Sequence, residues 1–287
     1  MRVISVINQK GGCGKTTTAI SLCGCLAQLN RRVLLVDLDP QGNASLGLNI
    51  KPEEVSCGMT EVLTQDTGLE EIIREAGNTN LEVAPANITL STVEQLLADA
   101  PGKEEKLLNK IERMQRRYDY VIIDSPPSLG ILTFNALRAS DLSIVPIDMG
   151  FFALHGVTRL MEIIDLVSRR TGHKVQLHAL ATMVSLRARF TKEVLENIRR
   201  NFEGEGNVFR THIRNNVRLR EASSHGVPIT QYDRRSIGAN DYRALSEEVL
   251  AMESTAEVRQ SAGAAVEQIA PVGRPDERPS VSYLSKS

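Results

Sequence analysis

The run Lys10-Gly11-Gly12-Cys13-Gly14-Lys15-Thr16-Thr17 stands between an apolar stretch that begins at Arg2 and a helical pattern that begins at Lys15. Strand, glycine loop and helix in that order build a cradle for an anion. Gly11, Gly12 and Gly14 let successive backbone N–H groups curl round it without side-chain clash. The N-terminus of the following helix adds partial positive charge. Lys15 is placed to neutralise β- and γ-phosphates, and the Thr16 hydroxyl to ligate Mg²⁺. The usual G-x-x-x-x-G-K-[ST] spacing would put glycine at position 9; Gln9 stands there, and a second lysine, Lys10, precedes the glycines. The pattern implies a nucleoside triphosphate site.

Two more segments carry acids where such a site needs them. Val33–Asn43 is an apolar strand pattern ending in Asp37 and Asp39, and Val121–Pro127 is another ending in Asp124. Open α/β sheets bind ligands at the C-terminal ends of their strands, and an acid there can hold the magnesium shell. The expected strands are Arg2–Asn8, Arg32–Asp37, Tyr120–Asp124, Leu142–Ile147, Leu177–Met183 and Val208–Ile213. Between the first two, Ala19, Ile20, Cys23, Leu26 and Leu29 recur at three- and four-residue steps and predict one buried stripe on a helix over Lys15–Leu29. Apolar strands alternating with helices predict an α/β fold, a mostly parallel twisted sheet flanked by helices.

Composition closes off several classes. With 34 Lys+Arg against 35 Asp+Glu the chain is near neutral, which excludes a globally basic nucleic-acid binder but not a local patch. No run approaches the ~18 apolar residues of a membrane span. Cys13, Cys23, Cys25 and Cys57 have neither zinc spacing nor a disulfide framework. The chain enters a strand pattern at once, with no signal-peptide layout, so the cytoplasm is the expected compartment. The last helix is expected near Asp241–Met252, and residues 254–287, rich in Ser, Ala, Pro, Glu and Arg, read as a disordered tail behind a domain of residues 1–253.

Lys10–Thr17 resembles the deviant Walker A motif of the ParA/MinD group of P-loop ATPases, Val33–Asn43 its Walker A′ motif and Val121–Pro127 its Walker B motif. The likeness continues through Phe151–Gly156, Thr182-Met183 with Arg187, Asn216–Gly226 and Tyr232–Ala239, and it covers about residues 1–252. These segments are similar to the Soj-like chromosome- and plasmid-partition ATPases. The resemblance implies a P-loop fold of the deviant Walker A type, ATP and Mg²⁺ as cofactors, and a homodimer that ATP bridges. Lys10 would reach the partner subunit's phosphates, Asp39 would position the attacking water, Asp37 would support the Mg²⁺ shell and Asp124 would be the Walker B acid. It further implies non-specific double-stranded DNA as a partner through Arg187 and Arg218, a ParB-like activator, a nucleoid-associated location and no membrane binding. Positioning of a protein cargo and a nucleotide-gated scaffold without DNA binding stay open as alternatives.

Some positions depart from the family pattern. His155 stands where an acid is usual and is assigned no role. Ile213-Arg214-Asn215-Asn216 replaces the usual Ile-Pro-Arg-Asn, so adenine contacts fall to Arg214 and Asn216 by position. Val184-Ser185 replaces a Tyr-Asp pair. From Arg187 to Arg220 there are nine Lys/Arg against four Glu, a local excess of positive charge suited to phosphate contacts that read no bases.

Overall fold

A computed structural model describes residues 1–78, 80–149, 161–185 except 163, 166 and 170, the positions 196, 198, 200 and 202, and 207–267, with side chains to Met252. Among the described residues eight strands make one sheet: β1 (Arg2–Val6), β2 (Val33–Asp37), β3 (Arg74–Asn78), β4 (Leu81–Ala84), β5 (Tyr120–Asp124), β6 (Leu142–Asp148), β7 (Gln176–Thr182) and β8 (Asn207–Val208). Their order is β3-β4-β2-β5-β1-β6-β7-β8. Every neighbouring pair is parallel except β3 with β4. The predicted α/β class and mostly parallel sheet are the observed ones.

β2 and β5 are buried along their whole length. Val3, Leu34, Val36, Val121 and Ile123 pack into one apolar cluster, which also takes Met59, Val62 and Leu63 of the helix Met59–Thr64. The alternating residues Ile4, Val6, Leu35 and Ile122 are equally buried, as strands covered on both faces require. β1, β5 and β2 also end level: Val6 pairs with Asp124, and Asp124 with Asp37. This register brings the three predicted nucleotide segments to one edge of the sheet.

Two expectations are corrected. The helix Lys15–Gln28 is buried at Leu22, Gly24, Cys25 and Ala27 as well as along the predicted stripe, while Leu29 is exposed. The cause is a second layer of chain over it. A Cβ at Gly24 would lie 2.6 Å from Pro228 Cβ, and Thr18 Oγ1 shares a buried hydrogen bond of 3.0 Å with the Tyr242 hydroxyl. The strand expected over Val208–Ile213 is observed as Asn207–Val208. The Phe209 and Ile213 N–H groups still donate to Ala179 O and Ala181 O at 2.9 and 2.8 Å, but between them the Glu248 carboxylate accepts the Arg210 and Thr211 N–H groups at 2.8 and 3.0 Å and the regular ladder is interrupted.

The last helix spans Ile237–Glu267, so it begins before and runs past the expected Asp241–Met252 and takes in the first residues of the segment expected as a disordered tail. By compactness the chain divides into two units, Met1–Glu248 and Val249–Ser287. Among the described residues no helix is long and apolar enough to cross a membrane.

Candidate active site

The loop after β1 is shaped by Gly12 and Gly14, whose φ angles of 74° and 92° lie in the left-handed region, where a side chain would be strained. Gly14 is the residue before the helix Lys15–Gln28, so the first N–H groups of that helix open toward the loop. Two hydrogen bonds brace the loop: the Cys13 thiol donates to Lys10 O at 3.2 Å, and Thr182 Oγ1, at the end of β7, donates to Cys13 O at 2.8 Å. Lys15 is buried and its Nζ donates to Lys10 O at 3.1 Å, which keeps the ammonium over the loop.

A cleft of about 530 Å³ opens above the loop. Gly11, Gly12, Gly14, Lys15, Thr16, Thr17 and Asp39 line it together with Met183, Ser223 and Ser224. Asp39 Oδ1 accepts the Gln41 N–H at 2.9 Å, a turn that fixes the carboxylate against the cleft.

The two strand-end carboxylates differ. Asp37 Oδ2 accepts both the N–H and the hydroxyl of Ser45 at 2.7 Å, and its Oδ1 accepts the Asp39 N–H at 3.2 Å. Burial still pushes its pKa up to about 6. Asp124 is fully buried and neither of its oxygens has a hydrogen-bond partner. Burial and then the Asp37 carboxylate hold its pKa well above the usual range; Thr16 lowers it somewhat without forming a well-made hydrogen bond. An ionisable group left this way costs stability unless a cation or water meets it. Mg²⁺ fits that requirement, since it is commonly held by one or two carboxylates, substrate phosphates and water. Thr16 and Asp124 fit as its holders, with Asp37 behind them and already occupied by Ser45.

Lys10 Nζ donates to both oxygens of Asp148 at 2.7 and 2.8 Å, an ion pair at the end of β6 within the same chain. The sequence reading passed over Asp148, although it ends an apolar strand as Asp124 does. The nucleotide segments therefore meet in one place. Arg214 and Asn216 do not line the cleft. Arg214 donates from Nε to the Asp241 carboxylate at 3.0 and 3.1 Å, and the Asn216 side chain caps the helix Val217–Ser224 by accepting the Arg218 N–H at 2.9 Å. Arg218 pairs with Glu221 at 2.8 Å. Arg187 and His155 lie outside the described residues.

A central strand feeding a glycine loop and helix, with acids closing the two strands beside it, defines a P-loop nucleoside triphosphatase. A family model described as an AAA domain matches residues 1–177. The sporulation initiation inhibitor protein Soj of Bacillus subtilis (strain 168) is 42% identical over 87% of this chain and 98% of its own length. The chromosome partitioning protein ParA of Myxococcus xanthus (strain DK1622) is 40% identical over 87% of this chain and 88% of its own. Among solved structures, cobyrinic acid a,c-diamide synthase from Mycobacterium smegmatis, with bound ATP analog and magnesium, matches with a TM-score of 0.77 and 33% identity, over 87% of this chain and 94% of that one. The chain belongs to the ParA/Soj family of P-loop ATPases.

Proposed function

We propose that this protein is a Mg²⁺-dependent partition ATPase that binds ATP in the cleft, dimerises around it, holds non-specific double-stranded DNA in the dimeric state, and lets go after hydrolysis. The observation that carries this reading is the convergence of Lys15, Thr16 and Asp39 on one cleft beside a buried, unpartnered Asp124, in a chain 42% identical to Soj. Lys10, Lys15 and the amides of Gly11, Gly12, Cys13, Gly14, Thr16 and Thr17 hold the phosphates. Mg²⁺, held by Thr16 and Asp124 with Asp37 supporting, would neutralise charge on the β- and γ-phosphates. Asp39 orients the water whose oxygen bonds to the γ-phosphorus as the bond to the ADP oxygen breaks.

Lys10 leaves Asp148 in this reading and reaches the phosphates of the partner subunit, where a cation in a dry interface stabilises the transferring phosphoryl group. Arg187 and Arg218 contact DNA phosphates, and a ParB-like activator stimulates turnover. The cycle belongs to residues 1–253, with 254–287 a tail outside it, in the cytoplasm on the nucleoid and without membrane attachment. Arg214 and Asn216 are carried as adenine contacts by their place in the family motif; neither lines the cleft, whereas Met183, Ser223 and Ser224 do.

Asp39→Ala tests the reading. Turnover should fall by a factor on the order of 10² or more, while light scattering with ATP shows a persistent dimer that stays on a random-sequence duplex. Wild-type turnover in that variant removes Asp39 from the chemistry. A wild-type protein that dimerises with ATP and binds no duplex at any salt concentration would move the function to a protein scaffold.

A further inference from the structure

The loops at the N-terminal ends of β2, β4 and β5 lie at the end of the sheet opposite the nucleotide cleft, and they enclose a second cleft of about 460 Å³. Arg32, Asn80, Glu82, Arg116, Arg117 and Tyr118 line it. The three arginines are exposed. Their commitments differ. Arg116 is paired with Glu82 at 2.9 Å, and the Tyr118 hydroxyl donates to the same carboxylate at 2.6 Å. Arg32 Nε stands 3.9 Å from Asp119, too far for a hydrogen bond, and that carboxylate already accepts the Arg32 N–H at 2.7 Å. Arg117 forms no ion pair with any described residue. Arg31, next to Arg32 in sequence, and Arg113, three residues before Arg116, are also exposed and form no ion pair among the described residues.

The cleft therefore presents one guanidinium group, that of Arg117, without an ion pair among the described residues, a second, that of Arg32, held only by a long 3.9 Å ion pair to Asp119, and a third whose fork Glu82 holds in place. Guanidinium forks match tetrahedral oxyanions in bidentate geometry and are weakly hydrated, so a cluster of them without lysine suits phosphate. No aliphatic side chain lines the cleft. An acidic peptide would find charge there but no pocket for an apolar anchor, the feature that carries most peptide affinity. A phosphodiester backbone needs no such anchor. It offers a row of oxyanions, and contacts to it position a duplex without reading sequence.

We propose that this cleft is a second phosphate-backbone contact for duplex DNA, made by Arg32 and Arg117 at the end of the sheet away from the nucleotide. It is independent of Arg218, which sits on the helix whose last turn, Ser223 and Ser224, lines the nucleotide cleft.

The test uses the full chain with ATP, a labelled random-sequence duplex and fluorescence anisotropy over a salt series. The double variant Arg32→Ala/Arg117→Glu keeps the Arg32 N–H bond to Asp119 and breaks no ion pair of Arg117. It should bind three- to tenfold more weakly at moderate salt. The slope of log affinity against log salt should become shallower by about 2, since each phosphate contact contributes ~0.9. ATP-dependent dimerisation and DNA-free turnover should stay at wild-type values. An unchanged slope overturns the proposal, and so does loss of the ATP dimer, which would assign these arginines to assembly. Labelled polyglutamate that binds the wild-type protein but not the double variant, while both bind the duplex equally, would make the cleft an acidic-peptide site and overturn it as well. Arg218→Glu, measured in parallel, keeps the two sites distinct: weakening by Arg218→Glu alone leaves the partition reading standing and removes this cleft from it.

Discussion

The two ends of the sheet use the same residue type in opposite ways. At the N-terminal end, Asp141 accepts the Val3 N–H at 2.8 Å and Asp119 accepts the Arg32 N–H at 2.7 Å. Each of these aspartates satisfies a backbone group where a strand begins. At the C-terminal end, Asp124 is fully buried with both oxygens unpartnered, and Asp37 ionises only near pH 6 although Ser45 holds it. A carboxylate that finishes a backbone ladder explains itself. One that is buried without a donor points to something brought from outside, and here the glycine loop beside it indicates a nucleotide with its cation.

The largest effect that would break this comparison is at Lys15. Lys15→Ala removes the buried cation nearest the loop, while no contact at the far end of the sheet changes. Nucleotide affinity should drop by a factor on the order of 10² or more, from a charge-assisted interaction worth about 3 kcal/mol. Titration with a fluorescent ATP analogue measures it, and unchanged affinity would remove the phosphate role from the loop.

Asp124→Asn sharpens the contrast between the two kinds of aspartate. Without nucleotide the variant should melt at a higher temperature, by several degrees, because an isosteric amide carries no buried ionisation cost. With Mg²⁺ and ATP the order should reverse, and the affinity should be about tenfold weaker or worse. Asp119→Asn, the control at the other end, should show no such reversal. If both variants respond alike to Mg²⁺ and ATP, Asp124 is a structural residue.

How far the sequence discloses this depends on the signal each residue carries. β1, β2 and β5 were legible because strands covered on both faces are continuous apolar runs, and the acids at their ends could be read from position. The β3–β4 hairpin over Arg74–Ala84 was not, since Arg74-Glu75-Ala76-Gly77-Asn78 has no apolar alternation and is held by antiparallel pairing at the edge. Asp148 was missed because nothing local links it to Lys10, 138 residues away in sequence. Arg214 and Asn216 were assigned by alignment to a motif; in the structure one serves Asp241 and the other a helix start. Such choices depend on which partner comes within reach, a tertiary property.

His178 lies in the middle of β7, away from either end, and supplies a pH test of the sheet itself. Its Nδ1 is buried without a partner and its ring packs against Phe209 at 5.1 Å. Burial first, and then the Arg2 charge, push its pKa down to about 4. The folded state thus binds fewer protons than the unfolded chain between about pH 4 and the usual histidine value near 6.5. Stability from this group is present above that window and is lost as pH falls through it, by at most about 3.4 kcal/mol and by less as solvent screens the ring. His178→Leu should flatten that part of the curve of unfolding free energy against pH. An unaltered slope in the variant would place the acid sensitivity elsewhere, first among the carboxylates at the nucleotide end.

The smallest expected effect concerns how the two arginine sites present their charge. Arg218 donates to Glu221 at 2.8 Å and lies 3.8 Å from Asp233, and the Tyr232 hydroxyl donates to the same Glu221 oxygen at 3.1 Å. Arg117, at the other end of the sheet, has no such partner among the described residues. A DNA phosphate that engages Arg218 must therefore displace or share Glu221, whereas one that engages Arg117 displaces only water. Glu221→Gln keeps the shape and a hydrogen-bond acceptor but removes the competing charge. Duplex affinity with ATP present should rise about two- to fivefold, the modest scale of exposed ion pairs. The gain should shrink as salt screens the pair. Anisotropy at two ionic strengths reads both changes. A fall in affinity would mean that Glu221 orients Arg218 toward the backbone instead of restraining it, and the pair would then be a positioning device of the DNA site.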